Sequence, residues 1–219
     1  FKGEFKILNS FFRNKNLSFK NNSVFTLDPF FNIKSIFQIE DINPKILKRI
    51  DLNSFLNSKK IIEKINSKSE IIYIPTKFNH RSIDEFNLKI NLEYGRINYR
   101  KLLSIEDNLF KCDGFINLFD DFPILTFDCL ISSKNKSELL KIFSVKSQEK
   151  NSSFKLSVFG ELNILNNKVS FKKVRTDNYN ASEEDLNYFK DKFETTLFDK
   201  SFLDIFEIKK IRDFIYEIS

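Results

Sequence analysis

Residues 86–95 read Phe86-Asn87-Leu88-Lys89-Ile90-Asn91-Leu92-Glu93-Tyr94-Gly95. Every second residue from Phe86 to Tyr94 is apolar, and every residue between them is polar or charged. Successive strand side chains point to opposite sides, so this alternation predicts a β-strand with one apolar and one wet face. Five same-face positions cover about 27 Å at ~3.3 Å per residue, longer than a core strand requires. After Gly95 the apolar parity moves to Ile97 and Tyr99, which marks a bulge or a tight turn at the glycine.

The same period recurs on either side. Phe154, Leu156 and Val158 alternate with polar residues, as do Phe1, Phe5 and Ile7 with Lys2, Glu4 and Lys6 between them. Gly3-Glu4-Phe5-Lys6-Ile7-Leu8-Asn9 matches Gly160-Glu161-Leu162-Asn163-Ile164-Leu165-Asn166, and Gly114 to Leu118 is a weaker third copy. Two of these are followed by a polar turn (Arg13 to Asn16; Asn166-Asn167) and a returning strand (Leu17 to Phe19; Val169 to Phe171). A repeated strand-turn-strand unit predicts an antiparallel meander.

Helical spacing punctuates the strands. Pro44 suits a first helical turn, and Ile46, Leu47 and Ile50, then Phe55, Leu56, Ile61, Ile62 and Ile65, continue it. Ser182 with Glu183, Glu184 and Asp185 is an N-cap with acids in the first turn, and Leu186, Phe189, Phe193 and Leu197 line one face. Ile208, Ile211, Ile215 and Ile218 predict a last helix. The expected fold is mainly β with helices, a β-dominated α+β. It is a twisted antiparallel sheet with helices near 44–66 and 182–218. The chain 1–219 reads as one continuous β-rich region, with strands plus helices over 1–82 and the remainder over 83–219.

Cys112 and Cys129 flank Phe119-Asp120-Asp121-Phe122. If Asp120-Asp121 is a two-residue hairpin turn, Phe119 faces Phe122, Ile116 faces Leu125, Gly114 faces Phe127 and Cys112 faces Cys129. Directly opposed side chains sit ~4.5–5.5 Å apart at Cβ, and the closer pairs accept a disulfide. Two unrelated buried thiols are the alternative. A disulfide is expected here, because the turn and the apolar face set the register independently of the cysteines. Such a bond points to an oxidising compartment such as the bacterial periplasm.

Composition excludes more than it identifies. The chain has 27 Phe, no Trp, no Met and a single Ala, Ala181, which is the signature of an A+T-rich gene. The 41% hydrophobic and 30% charged residues exclude a disordered or membrane-embedded chain. The net charge of +6 comes from 36 basic against 30 acidic residues, and its clusters, Lys59-Lys60, Lys172-Lys173 and Lys209-Lys210, are short. That is a mixed solvated surface rather than a nucleic-acid stripe, and no nucleic-acid partner is expected. The densest apolar run, Ile71-Ile72-Tyr73-Ile74, stops at Pro75, far short of a membrane helix. With no Met anywhere, the chain is expected to be a piece of a longer one or to have lost a leader.

No catalytic set is visible. His80 is the only histidine, and Ser82 and Asp84 nearby lack a nucleophile turn. Two Cys and one His fall short of a four-ligand zinc site. No phosphate-binding or dinucleotide motif occurs, so neither an enzyme nor a cofactor is expected.

From Phe86 onward the pattern resembles the AsmA-like family of bacterial envelope proteins (the AsmA, TamB and YhdP type). The residues that carry it are the strand Phe86 to Tyr94, the hairpin Cys112 to Cys129 around Phe122-Pro123, the strand Phe154 to Leu165 with its return Val169 to Val174, and the helical C-terminal end. These cover roughly the last 135 residues. The resemblance implies a large periplasmic β-groove, attached to the inner membrane through a segment absent from this chain. It further implies movement of phospholipid between membranes, or outer-membrane biogenesis. Lipid-contacting residues are then expected at Phe86, Leu88, Ile90, Leu92 and Tyr94, with Phe154, Leu156 and Val158 as second choices. The alternative is a structural or adhesive β-repeat segment whose apolar faces close into a sealed core without ligand.

Overall fold

Ten strands succeed one another in chain order: β1 (Glu4–Arg13), β2 (Leu17–Thr26), β3 (Asn32–Ile42), β4 (Asn66–Tyr73), β5 (Ile83–Glu93), β6 (Arg96–Ile105), β7 (Asn108–Asn117), β8 (Ile124–Ser133), β9 (Phe154–Asn163) and β10 (Lys168–Thr176). They form one sheet in the order β1 to β10. Among the described residues the helices are α1 (Lys59–Ile62), α2 (Lys136–Ile142), α3 (Glu183–Leu197) and α4 (Ile208–Ile218). The computed structural model describes residues 3–28, 30–43, 57–73, 83–143, 145, 152–166, 168–197 and 208–218. The chain is therefore β-dominated with a few helices, as its alternation predicts.

The sheet is mixed rather than wholly antiparallel. Strand β3 pairs with β4 in parallel, Asn32 opposite Asn66 through Ile39 opposite Tyr73. Parallel neighbours need a long crossover, and the segment between them, which carries α1 with Ile62 buried, supplies it. Of the helices expected over 44–66, only α1 falls in the described residues, since 44–56 lie outside them and β4 has begun by Asn66. The helices expected over 182–218 are α3 and α4, with 198–207 outside the described residues.

Two compact units make up the chain. The first is Phe1–Glu106 with Asp113–Asp121, and the second is Asp107–Cys112 with Phe122–Ser219. In the first, β5 turns into β6 through Tyr94 (φ 47°) and Gly95 (φ 81°), two left-handed residues as a tight type I′ turn demands. Strand β1 carries a bulge between Ile7 and Ser10, where Asn9 adopts φ 51° and its N–H donates to Asn22 Oδ1. The β1–β2 turn closes on Asn14 Oδ1, which accepts from the Asn16 and Leu17 N–H groups.

In the second unit, β8, β9 and β10 are antiparallel neighbours, and α3 packs on β10. The turn after β9 repeats the asparagine device, with Asn163 Oδ1 accepting from Leu165 and Asn166 N–H. Helix α3 starts as its sequence predicts. Ser182 Oγ accepts from the Asp185 N–H (3.2 Å) while the Asp185 carboxylate accepts from the Ser182 N–H (2.7 Å), a reciprocal cap. The Ser182 hydroxyl (2.6 Å) and the Tyr179 OH also donate to that carboxylate, and these bonds, the Ser182 hydroxyl's foremost, hold Asp185 below its ordinary range. The matched heptapeptides do not occupy equivalent places: Gly3 precedes β1, whereas Gly160 lies inside β9.

Candidate functional site

Directly paired residues of neighbouring strands share a face, so the registers give the composition of each face of the first unit. Phe86, Leu88, Ile90 and Leu92 of β5 lie opposite Tyr73, Ile71, Ser69 and Ser67 of β4. On their other side they lie opposite Leu103, Lys101, Tyr99 and Ile97 of β6. Through the parallel pairing the same face continues to Ile33, Ser35, Phe37 and Ile39 of β3, and then to Phe25, Ser23, Asn21 and Phe19 of β2. Phe5, Ile7, Ser10 and Phe12 of β1 complete it.

The opposite face is ionic. Lys20–Glu40 (2.8 Å), Lys89–Glu70 (3.4 Å) and Arg100–Asp113 (2.7 Å) all lie there. Across six strands the alternation puts most of the charge on one face, with Phe11 and Ile36 as exposed apolar exceptions there and Lys101 as the charged exception on the other.

Among the described side chains of the apolar face only Asn21, Ser23, Ser35 and Tyr73 are buried, and three of those are small polar residues that partner one another. Ser23 Oγ lies 2.9 Å from Asn21 Oδ1 and 3.0 Å from Ser35 Oγ, and Asn21 Nδ2 donates to the Ile36 carbonyl. Phe86, Leu88, Ile90 and Leu92 all remain partly exposed, and Phe5 and Phe12 are exposed outright.

Tyr94 does not belong with the other four. It sits in the turn after β5, and its ring meets Phe30 edge-on at 6.1 Å. The positive φ needed to reverse the chain ends the strand alternation one position early.

The second unit is built differently. Leu125, Phe127, Cys129 and Ile131 of β8 lie opposite Leu162, Gly160, Val158 and Leu156 of β9. There α3 supplies a layer: Leu162 and Val169 are 4% and 2% exposed, with Leu125, Phe127, Ile164, Phe171 and Phe193 around them. Phe193 meets Phe171 edge-on at 5.4 Å, and Glu194 grips β10 by accepting from the Val169 N–H and pairing with Lys168. The Phe127 ring covers Gly160 so closely that a Cβ there would lie 2.6 Å from it.

Of the second-choice residues, Val158 lies opposite Cys129, Leu156 opposite Ile131 and Phe154 opposite Ser133. Lys136 Nζ of α2 stands 5.9 Å from the Phe154 ring centroid. The two expected sets therefore belong to different compact units. Cys112 and Cys129 are joined by a disulfide, with Cα atoms 4.1 Å apart.

No family model, no curated protein and no solved structure matches the chain. Among the described residues no group of three or more His, Cys, Asp or Glu could hold a metal ion, and no helix is long and apolar enough to cross a membrane. His80 and Ser82 lie outside the described residues.

Three large residues of the apolar face carry polar chemistry. Lys101 is the one charged residue on that face among the described residues of β1 to β6, and burial pulls its ammonium below the ordinary 10.5. Tyr99, opposite Ile90, has its phenol raised by burial first and by the Asp113 carboxylate second. Tyr73, opposite Phe86, is buried with no partner for its hydroxyl. A signal for Lys101 does exist: continuing the parity of Ile97 and Tyr99 reaches Lys101 and Leu103.

Proposed function

We propose that the apolar face of the first unit holds phospholipid acyl chains, and that the chain is a non-enzymatic envelope protein of the AsmA-like kind. In this reading it works in the periplasm, attached to the inner membrane through a segment outside this chain, and serves lipid transport or outer-membrane biogenesis. One observation carries the lipid part. Phe86, Leu88, Ile90 and Leu92 sit on a face six strands wide whose large apolar side chains stay partly exposed, while the second unit roofs its own apolar face with α3. Each methylene removed from water is worth ~0.8 kcal/mol, so an extended acyl chain has ample surface to gain from. The Cys112–Cys129 bond is compatible with the compartment.

The sealed Leu162–Val169 cluster favours a second reading, a structural or adhesive β-repeat without ligand. Ile90→Asp separates the two. On a lipid-holding face, the variant folds and loses co-purifying lipid. Beneath a closed layer, it buries an unpaired carboxylate and loses several kcal/mol of stability. A variant that fails to fold, measured by thermal denaturation beside lipid analysis, would support the sealed core.

A further inference from the structure

Within the acyl-chain reading on which it rests, we propose that Lys101 selects the headgroup of the bound lipid, so that the apolar face takes an anionic phospholipid in preference to a zwitterionic one. Charge complementarity is the first reason. On the polar face of this unit three cations have carboxylates beside them: Lys20 has Glu40, Lys89 has Glu70 and Arg100 has Asp113. Lys101 is on the other side of the sheet. It lies directly opposite Leu88, between Tyr99 and Leu103 on its own strand, with Phe37 and Ile71 farther along the same row.

An ammonium on an apolar face without an acceptor is a standing cost, because it loses water and gains nothing in exchange. Its lowered pKa, caused by burial alone, is the electrostatic expression of that cost. A phosphate-bearing headgroup would supply the missing counter-charge through charge-assisted hydrogen bonds, while its acyl chains cover Leu88 and Ile90. A second unfilled group lies on the same face. The Tyr73 hydroxyl, two strands away at ~4.8 Å per strand and one pair along, has no partner.

The test incubates the chain with vesicles of equal phosphatidylcholine and phosphatidylglycerol, removes the vesicles and identifies the retained lipid by mass spectrometry. The wild type should retain phosphatidylglycerol over phosphatidylcholine by roughly tenfold, the worth of one charge-assisted hydrogen bond. Lys101→Gln should retain lipid with that preference gone, and Lys101→Arg should restore it. Lys89→Gln, which removes a cation from the polar face, should leave the preference intact and so controls for the general attraction of a basic protein to anionic vesicles. Equal retention of both lipids by the wild type, or an unchanged preference in Lys101→Gln, would overturn the role of Lys101 while leaving the acyl-chain reading standing. A wild type that retains neither lipid would overturn both.

Discussion

Lys101 is the residue at which the physics of the first unit is most exposed. Its ammonium is held on an apolar face, and burial lowers its pKa from 10.5. Because the folded value is the lower one, the folded chain binds its proton less tightly than the unfolded chain does. The penalty is therefore full below the lowered pKa and fades as pH rises toward 10.5. Lys101→Met removes the charge and keeps an apolar stem of similar length. It should stabilise the lipid-free protein at neutral pH by about 1–3 kcal/mol, with the gain over wild type shrinking at alkaline pH. Paired urea denaturations of the two proteins from pH 7 to pH 10 read this directly. A variant less stable than wild type at pH 7 would mean that Lys101 has a partner holding it in place.

At the scale of elements, what was legible was local. The alternation of Phe86 to Leu92 predicts β5, the parity change at Gly95 marks the β5–β6 turn, and Ser182 with Asp185 opens α3. Each depends on residues within a few positions of one another. The Cys112–Cys129 bond forms as expected, but not through a two-residue turn: β7 ends at Asn117 and β8 begins at Ile124, so Phe119 and Phe122 lie in the connection and not in paired strands. Bridging a separation of 17 residues, the bond should contribute about 3 kcal/mol, by restricting the unfolded chain. The double variant Cys112→Ser/Cys129→Ser should lower the denaturation midpoint accordingly without changing the strand content seen by circular dichroism. An unchanged midpoint would show that β7 and β8 hold their places without the bond. Helix α2 is hard to see in the sequence because it is short, and its main marker is one capping side chain, Asn135, which accepts from the Ser137 and Glu138 N–H groups. Strands β2 to β4 are obscured because Asn21, Ser23, Ser35, Ser67 and Ser69 occupy apolar-face positions. Hydrogen bonds among the first three remove the cost of placing them there.

For the whole molecule, chain order sets which strands are neighbours but not their direction. The parallel β3–β4 pair arises from a crossover whose geometry no alternation pattern encodes. Nor does alternation reveal whether an apolar face is roofed, because Phe154, Leu156 and Val158 have the same pattern as Phe86, Leu88 and Ile90. Among the described residues, one difference is the helix that follows the second set. Beyond β10 the chain returns as α3 and sets Phe193 on Phe171, whereas β5 and β6 are joined directly by a tight turn.

Whether the β1–β6 apolar face accepts acyl chains is the question on which the function turns, and photolabelling answers it most directly. The chain would be incubated with a phospholipid carrying a diazirine in one acyl chain, illuminated, and its adducts mapped by peptide mass spectrometry. A lipid-holding face predicts adducts on Phe86 to Leu92 and on their cross-strand partners Ile71, Tyr73, Tyr99 and Leu103. Adducts confined to the ionic face or to α3, or no adducts at all, would contradict it.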